Sequence, residues 1–251
     1  MIVSDSGRFI FVHCRKVAGS SMKVGLAPFL KDQDIVIGSL NEIIAAGLVP
    51  PPAIKKIMMK PTTLAVAASA RVLGKSWPQA QNIAVKRHFS RSLGRNPPHP
   101  SAAQSARFLG ERWRDYTKVC FTRNPYERVA SDYFWRLRTT TIKMSFIEYL
   151  KLIESGSSKS GFLHYGGVSN WEMMTIKNNM QMDFVGRFEN IEADYERMLT
   201  RIGLPVVPLM FNMKKGSSHH EYHKIYGSAE KAAVRKLFAA ELGAFGYQYP
   251  Y

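Results

Sequence analysis

A chain of 251 residues that is 45% hydrophobic and 12% aromatic can bury roughly 73% of its extended surface, which excludes a mainly disordered chain. With no apolar run near the ~18 residues of a spanning helix, and no basic start leading into an apolar stretch in MIVSDSGRFIFVHC, a cytoplasmic location is expected. Thirty-five Lys and Arg against 19 Asp and Glu leave a net charge of +16, which implies an anionic partner: nucleic acid, a membrane surface, or a phosphorylated or polyanionic ligand.

Residues 8–14 (RFIFVHC) are short and rich in β-formers, so they read as a buried strand. The turn Arg15-Lys16-Val17-Ala18-Gly19-Ser20-Ser21 follows, and then a helix with Met22, Leu26 and Phe29 or Leu30 at helical spacing. A strand, a turn of small residues and a helix start point backbone N–H groups at an anion. It is not a Walker A sequence, because the lysine precedes the glycine. Residues 34–38 (DIVIG) suggest a second short strand, and Pro50-Pro51-Pro52 interrupts any regular element. Residues 53–75 mix basic and apolar residues and are expected to include a basic amphipathic helix, residues 76–100 read as loop and short helix, and residues 101–110 as a helix capped by Ser101. Between Ile43 and Gly110 there is no Asp or Glu and there are ten Lys and Arg.

Residues 118–122 (KVCFT) read as another buried strand, after which Asn124 caps and Pro125 opens a helix running through Tyr133 and Trp135. Arg123 leaves the strand end and Ser131 lies ~12 Å along the helix, so a long guanidinium folding back brings both to one phosphate. A carboxylate partner for Arg123 is the competing reading. Residues 144–153 read as a helix, 154–162 as a Gly/Ser loop, 183–187 (DFVGR) as a third strand, 191–202 as a helix, 212–227 as a polar loop and 229–242 as the last helix. Alternating strands and helices predict an α/β fold of one domain over residues 1–251: three layers like a P-loop NTPase, with a central, mostly parallel sheet flanked by helices and the ligand at the carboxyl ends of the strands. Within it, residues 43–100 form a basic insertion. Cys14 and Cys120, in apolar runs, read as buried small hydrophobes.

HCRKVAGSSM, followed about a hundred residues later by FTRNPYERVASDYFW, resembles the sulfotransferases that use 3′-phosphoadenosine 5′-phosphosulfate (PAPS), above all their carbohydrate-type group; FVGRFENIEADYERM and the closing FGYQY resemble family segments too. The resemblance implies PAPS as donor, adenosine 3′,5′-bisphosphate as product and no catalytic metal. It places Lys16 on the bridging oxygen of the phosphosulfate, Ala18, Gly19, Ser20 and Ser21 on its phosphate, and Arg123 and Ser131 on the 3′-phosphate. Arg15 stands where relatives often have Pro, adding a charge beside the loop, and Lys215 falls in a loop that lies near the nucleotide in relatives. His99, in His99-Pro100-Ser101-Ala102, resembles the segment carrying the base that takes the acceptor proton; His88 is the alternative base, and His13 reads as structural.

The resemblance implies a carbohydrate, glycolipid or other hydroxyl acceptor. The basic 43–110 stretch is expected to meet an anionic glycan or lipid headgroups, with Ile57-Met58-Met59 touching the bilayer. A small-molecule kinase on a P-loop scaffold is opposed by the missing Walker lysine position. A nucleic-acid-binding protein is suggested by the charge but lacks a zinc-finger, ribonucleoprotein or basic-zipper pattern, so no nucleic acid is expected.

Overall fold

The computed structural model describes residues 1–156, 169–209 and 219–251. In chain order the elements are β1 (Ile2–Ser4), β2 (Phe9–Phe11), α1 (Gly19–Leu26), β3 (Ile35–Val36), α2 (Leu40–Ala45), α3 (Pro52–Met58), α4 (Pro61–Val72), α5 (Trp77–Leu93), α6 (Ala102–Leu109) and α7 (Glu111–Asp115). Then come β4 (Thr117–Thr122), α8 (Pro125–Thr139), α9 (Phe146–Ser155), α10 (Asn170–Met174), the small hairpin β5 (Thr175–Ile176) and β6 (Asn179–Met180), β7 (Phe184–Arg187), α11 (Ile191–Arg201), α12 (Ser228–Leu237) and α13 (Ala239–Phe245).

The main sheet has the order β3-β1-β2-β4-β7. The pairs β2–β4 and β4–β7 are parallel, whereas β1 runs antiparallel to both β2 and β3. The expectation of a three-layer, P-loop NTPase-like fold around a mostly parallel sheet is therefore overturned. Helix accounts for 58% of the structure and the sheets are small and of mixed direction. Two causes are visible in the chain. The segment before β2 turns back on itself through Asp5–Gly7 as an antiparallel hairpin, and its partner on the other side is a two-residue strand. Between β3 and β4, six helices follow one another with no strand, so the alternation that builds a parallel sheet is absent there.

The parallel strands β2, β4 and β7 keep the arrangement that positions a site. β2 and β4 lie side by side and parallel, so the chain leaves both at the same edge of the sheet. Phe9, Ile10 and Phe11 on one strand and Val119, Cys120 and Phe121 on the next are buried on both faces, which is why each reads as a continuous apolar run. A second apolar cluster, rich in tyrosine, joins α8, α9 and α12 through Tyr126, Tyr133, Phe146, Tyr149 and Val234. Cys14 and Cys120 are both buried thiols.

The basic insertion is mostly helical and holds no strand. The stretch 53–75, expected to include a basic amphipathic helix, carries two, α3 and α4, because Pro61 cannot continue α3 and instead opens α4. Ile57 and Met58 are buried against α5, and of the trio expected to touch lipid only Met59 is exposed. The stretch expected as loop and short helix contains α5, the longest helix, started by a reciprocal cap between Ser76 and Gln79 with Pro78 in the first turn. The last helix expected over 229–242 is two, broken at Phe238.

Candidate functional site

The turn between β2 and α1 is held in an uncommon backbone shape. Lys16 and Ala18 adopt φ values of 60° and 59°, a left-handed conformation that costs a non-glycine residue about 1–3 kcal/mol and persists where the surroundings impose it. Ala18 stands at the N-cap of α1 and offers no side-chain oxygen, so the cap residue itself makes no side-chain bond to the first turn of that helix. Gly19 is required for space rather than for its φ: a Cβ there would lie 1.9 Å from Cδ2 and 2.0 Å from Nε2 of His13. Asn170, at the start of α10, grips the backbone of Arg15 from both sides, accepting from its N–H at 2.9 Å and donating to its carbonyl at 3.1 Å. Nothing in the sequence near residue 15 announces a partner 155 positions away.

Arg123 follows β4 and is buried. Its Nη1 lies 3.5 Å from the Lys16 carbonyl oxygen, its Nη2 pairs with Glu127 at 3.3 Å, and its guanidinium stacks on Phe188 at 4.2 Å. The carboxylate partner weighed from the sequence thus exists, yet it does not draw the arginine away from the turn. Asn124 caps α8 through Tyr126 N–H at 3.1 Å, as the sequence suggests, and its own N–H donates to Glu189 at 2.6 Å while its amide donates to the Gln248 carbonyl at 2.8 Å.

Glu127, Ser131 and Trp135 are spaced four apart, which puts them on one stripe of α8. At one end of the stripe Glu127 meets Arg123; at the other, Lys16 Nζ sits 5.3 Å from the centre of the Trp135 ring. Ser131, half-buried, lies on that stripe between them. Beside it, Asp132 is buried and bonded to Arg136 Nε at 2.7 Å and to the Tyr149 hydroxyl. Burial would raise its carboxyl pKa, but the Arg136 charge, the two hydrogen bonds and the nearby Lys16 charge outweigh burial and hold it below the usual range. The pairing fixes α8 against α9.

His99 closes the other side of the turn. Its Nδ1 is 2.6 Å from the His13 carbonyl oxygen. A carbonyl can only accept, so the bond assigns the proton to Nδ1 and leaves the lone pair on Nε2. The two imidazole centres are 4.4 Å apart, so His99, His13 and Gly19 form one contiguous stack from His99 to the helix start. Burial first, and then the Arg15 charge, push the His99 pKa well below the ordinary 6.5. His13 is buried. His88 is on α5 with its ring edge-on to Phe89 and feels the charge of Lys60; burial, followed by that charge, lowers its pKa.

The structure therefore gathers Arg15, Lys16, Ala18, Gly19, Ser21, Arg123, Ser131 and His99 around one turn. Ser20 is part of the same helix start, but its hydroxyl faces α2, 3.2 Å from Ser39 Oγ and 3.5 Å from Glu42 Oε1, leaving its backbone N–H as its contribution to the turn. Lys215, with Lys214, lies outside the described residues. Glu42 went unnoticed in the sequence. It is the last carboxylate before the acid-free stretch, and its charge acts on both Lys23 and Lys86.

The model of the Sulfotransferase family matches residues 1–247. An uncharacterized protein from Archaeoglobus fulgidus is 29% identical over 91 residues, which span 36% of this chain and 70% of that protein. The crystal structure of a sulfotransferase from Alicyclobacillus acidocaldarius aligns over 96% of each chain with 13% identity and a TM-score of 0.45.

Proposed function

The chain belongs to the sulfotransferase family and is an enzyme of sulfuryl transfer, and from that premise we propose that the turn at Lys16 takes PAPS as donor and that a hydroxyl of a carbohydrate or glycolipid is the acceptor. When bound, the nucleotide supplies an activated sulfuryl group on a phosphate leaving group. The chain's own residues suit that group. A lysine beside a helix start with no side-chain cap offers a cation and backbone N–H donors to one anion, and the close approach at Gly19 keeps side-chain bulk out of the turn. Arg123 and Ser131 would hold the 3′-phosphate, the arginine through its planar fork of donors. Lys16 and the N–H groups of Gly19, Ser20 and Ser21 would face the charge that develops on the leaving phosphate. His99, neutral at physiological pH with the lone pair on Nε2, would take the proton of the acceptor hydroxyl.

A single observation carries the reading: the Arg123 guanidinium lies against the backbone of Lys16, and both border the Glu127–Ser131–Trp135 stripe of α8. That proximity supports the reading that the turn and the Arg123–Ser131 element would face one nucleotide. Calorimetric titration with adenosine 3′,5′-bisphosphate tests it. Saturable heat from the native chain is expected, with Kd raised about 30-fold or more in Arg123→Ala, the usual loss on truncating one partner of a buried charged contact. No heat from the native chain overturns the reading. Labelled PAPS incubated with a mixture of glycans and glycolipids then identifies the acceptor.

A further inference from the structure

We infer that the outer face of α4 and the α4–α5 turn form a docking surface for a bilayer containing anionic lipid. An ordinary surface helix is apolar toward the core and polar toward water. α4 carries apolar residues on both sides: Ala67 and Ala70 are buried against the neighbouring helices, while Leu64, Ala68 and Val72, four apart on one line, face outward. The line continues into the turn, where Val72 is 88% and Leu73 78% exposed, and on to Trp77 at the start of α5, 46% exposed. Met59, just before α4, is 72% exposed.

Exposed cations flank this apolar line. Lys55, Lys56 and Lys60 precede α4, and Arg71 and Lys75 bracket the turn. No acidic residue occurs between 43 and 110 to balance them. An apolar ridge edged by lysine and arginine, with a tryptophan at its margin, is what an anionic lipid surface recognises: the ridge enters the headgroup region and the cations pair with lipid phosphates. A soluble polyanion would engage the cations and leave the valine and leucines in water. A second copy of the chain would bring like charges face to face. The bilayer is the occupant that satisfies both halves of the surface.

Sedimentation of the full-length chain with phosphatidylcholine vesicles, with and without phosphatidylglycerol, tests the inference. Binding is expected only with the anionic lipid. Leu73→Glu should weaken it about tenfold or more, and each of Lys55→Gln, Lys56→Gln and Lys60→Gln about fivefold. Val206→Glu, at a residue 55% exposed elsewhere, should leave it unchanged. All these positions are exposed, so the variants should melt like the parent. Brominated lipid should quench fluorescence in the parent and lose most of that effect in Trp77→Phe. No sedimentation at low salt overturns the inference. So does binding that follows the lysines but ignores Leu73→Glu, which marks a polyanion site, or a dimer in light scattering that Leu73→Glu dissolves without any vesicle binding, which marks self-association. No nucleotide or acceptor enters the assay, so its outcome is separate from that of the titration above.

Discussion

Two groups of cations occupy this molecule, and they differ in what surrounds them. Around the turn after β2, Arg15, Lys23 and Arg123 are buried and fixed: Arg123 by Glu127 and Phe188, Lys23 by the carbonyl of Ile37 at 2.7 Å, and Arg15 through the grip of Asn170 on its backbone. On α3, just before α4 and around the α4–α5 turn, Lys55, Lys56, Lys60, Arg71 and Lys75 extend into water. A buried cation acts through a low dielectric in a set direction, whereas an exposed one is screened within ~10 Å at 0.1 M salt. The same residue types thus supply orientation in one place and a diffuse attraction in the other. Net charge reports only their sum.

The largest effect expected from breaking the buried group is at His99, whose proton affinity is depressed by burial first and then by the charges of Arg15 and Lys23. In His99→Asn the amide can still donate to the His13 carbonyl, but the lone pair of Nε2 is gone. If His99 takes the acceptor proton, kcat falls about 10²–10⁴-fold while the nucleotide Kd stays within a few-fold. Steady-state kinetics alongside calorimetry read the two separately, and a kcat within tenfold of the parent would remove His99 from that role. The pH profile adds a second readout. Because burial and Arg15 lower its pKa, the acid limb of kcat/KM should lie below the ordinary 6.5. For the same reason the unfolded chain takes up this proton first as pH falls, so His99 contributes a loss of stability below about pH 6.5 that the asparagine variant lacks.

Much of this group was legible because its residues are adjacent in sequence. The strand runs at 9–11 and 117–122, the turn between them and α1, and the Asn124-Pro125 helix start are all local signals, and each element formed where its residues said it would. The sheet as a whole was not legible. Whether Ile2–Ser4 pairs at all depends on a hairpin closed by Arg8 at φ 51°, and its antiparallel direction follows from that turn rather than from the strand's own composition. Asn170 and Glu42 escaped for a related reason. Each acts on the turn from a different element, and a single asparagine or glutamate carries no spacing that would mark it. The long helix α5 was hidden by its polar composition. Its start was written plainly in Ser76, Pro78 and Gln79, a cap that outweighs the weak periodicity behind it.

A smaller effect, of opposite sign, is expected at Lys23. This ammonium is fully buried, and burial foremost lowers its pKa from 10.5 to about 8. At pH 7 it is charged in the folded and the unfolded chain alike, and the folded state carries a penalty of order ~3 kcal/mol for holding the charge in a low dielectric. Between pH 8 and 10 the unfolded chain keeps the proton that the folded chain has released, so stability rises with pH in that window. Lys23→Met removes both the penalty and the slope. The Ile37 carbonyl keeps the Met1 amino group as a donor at 3.2 Å, so the substitution strands no acceptor there. Urea titrations at pH 7 and pH 9.5 should find the variant more stable than the parent by ~1–3 kcal/mol at the lower pH and nearly equal at the higher. A variant less stable at pH 7 would mean that the lysine's hydrogen bonds outweigh the cost of its burial.

The smallest effect belongs to the exposed group, and it sharpens the contrast because it should appear in rate and not in stability. Replacing Lys55, Lys56 and Lys60 together by Gln removes three of the sixteen net charges without touching a buried contact. Unfolding free energy should therefore change by less than about 0.5 kcal/mol. Association of the doubly phosphorylated nucleotide, followed by stopped flow, should slow a few-fold at low salt, since long-range attraction adds to the encounter rate, and the difference should vanish near 0.5 M salt, where the screening length is down to ~4 Å. The dissociation rate should not change, because no lysine of the three belongs to the crevice. If dissociation accelerated instead, these side chains would reach the bound nucleotide, and the division between oriented and diffuse cations would have to be redrawn through α3.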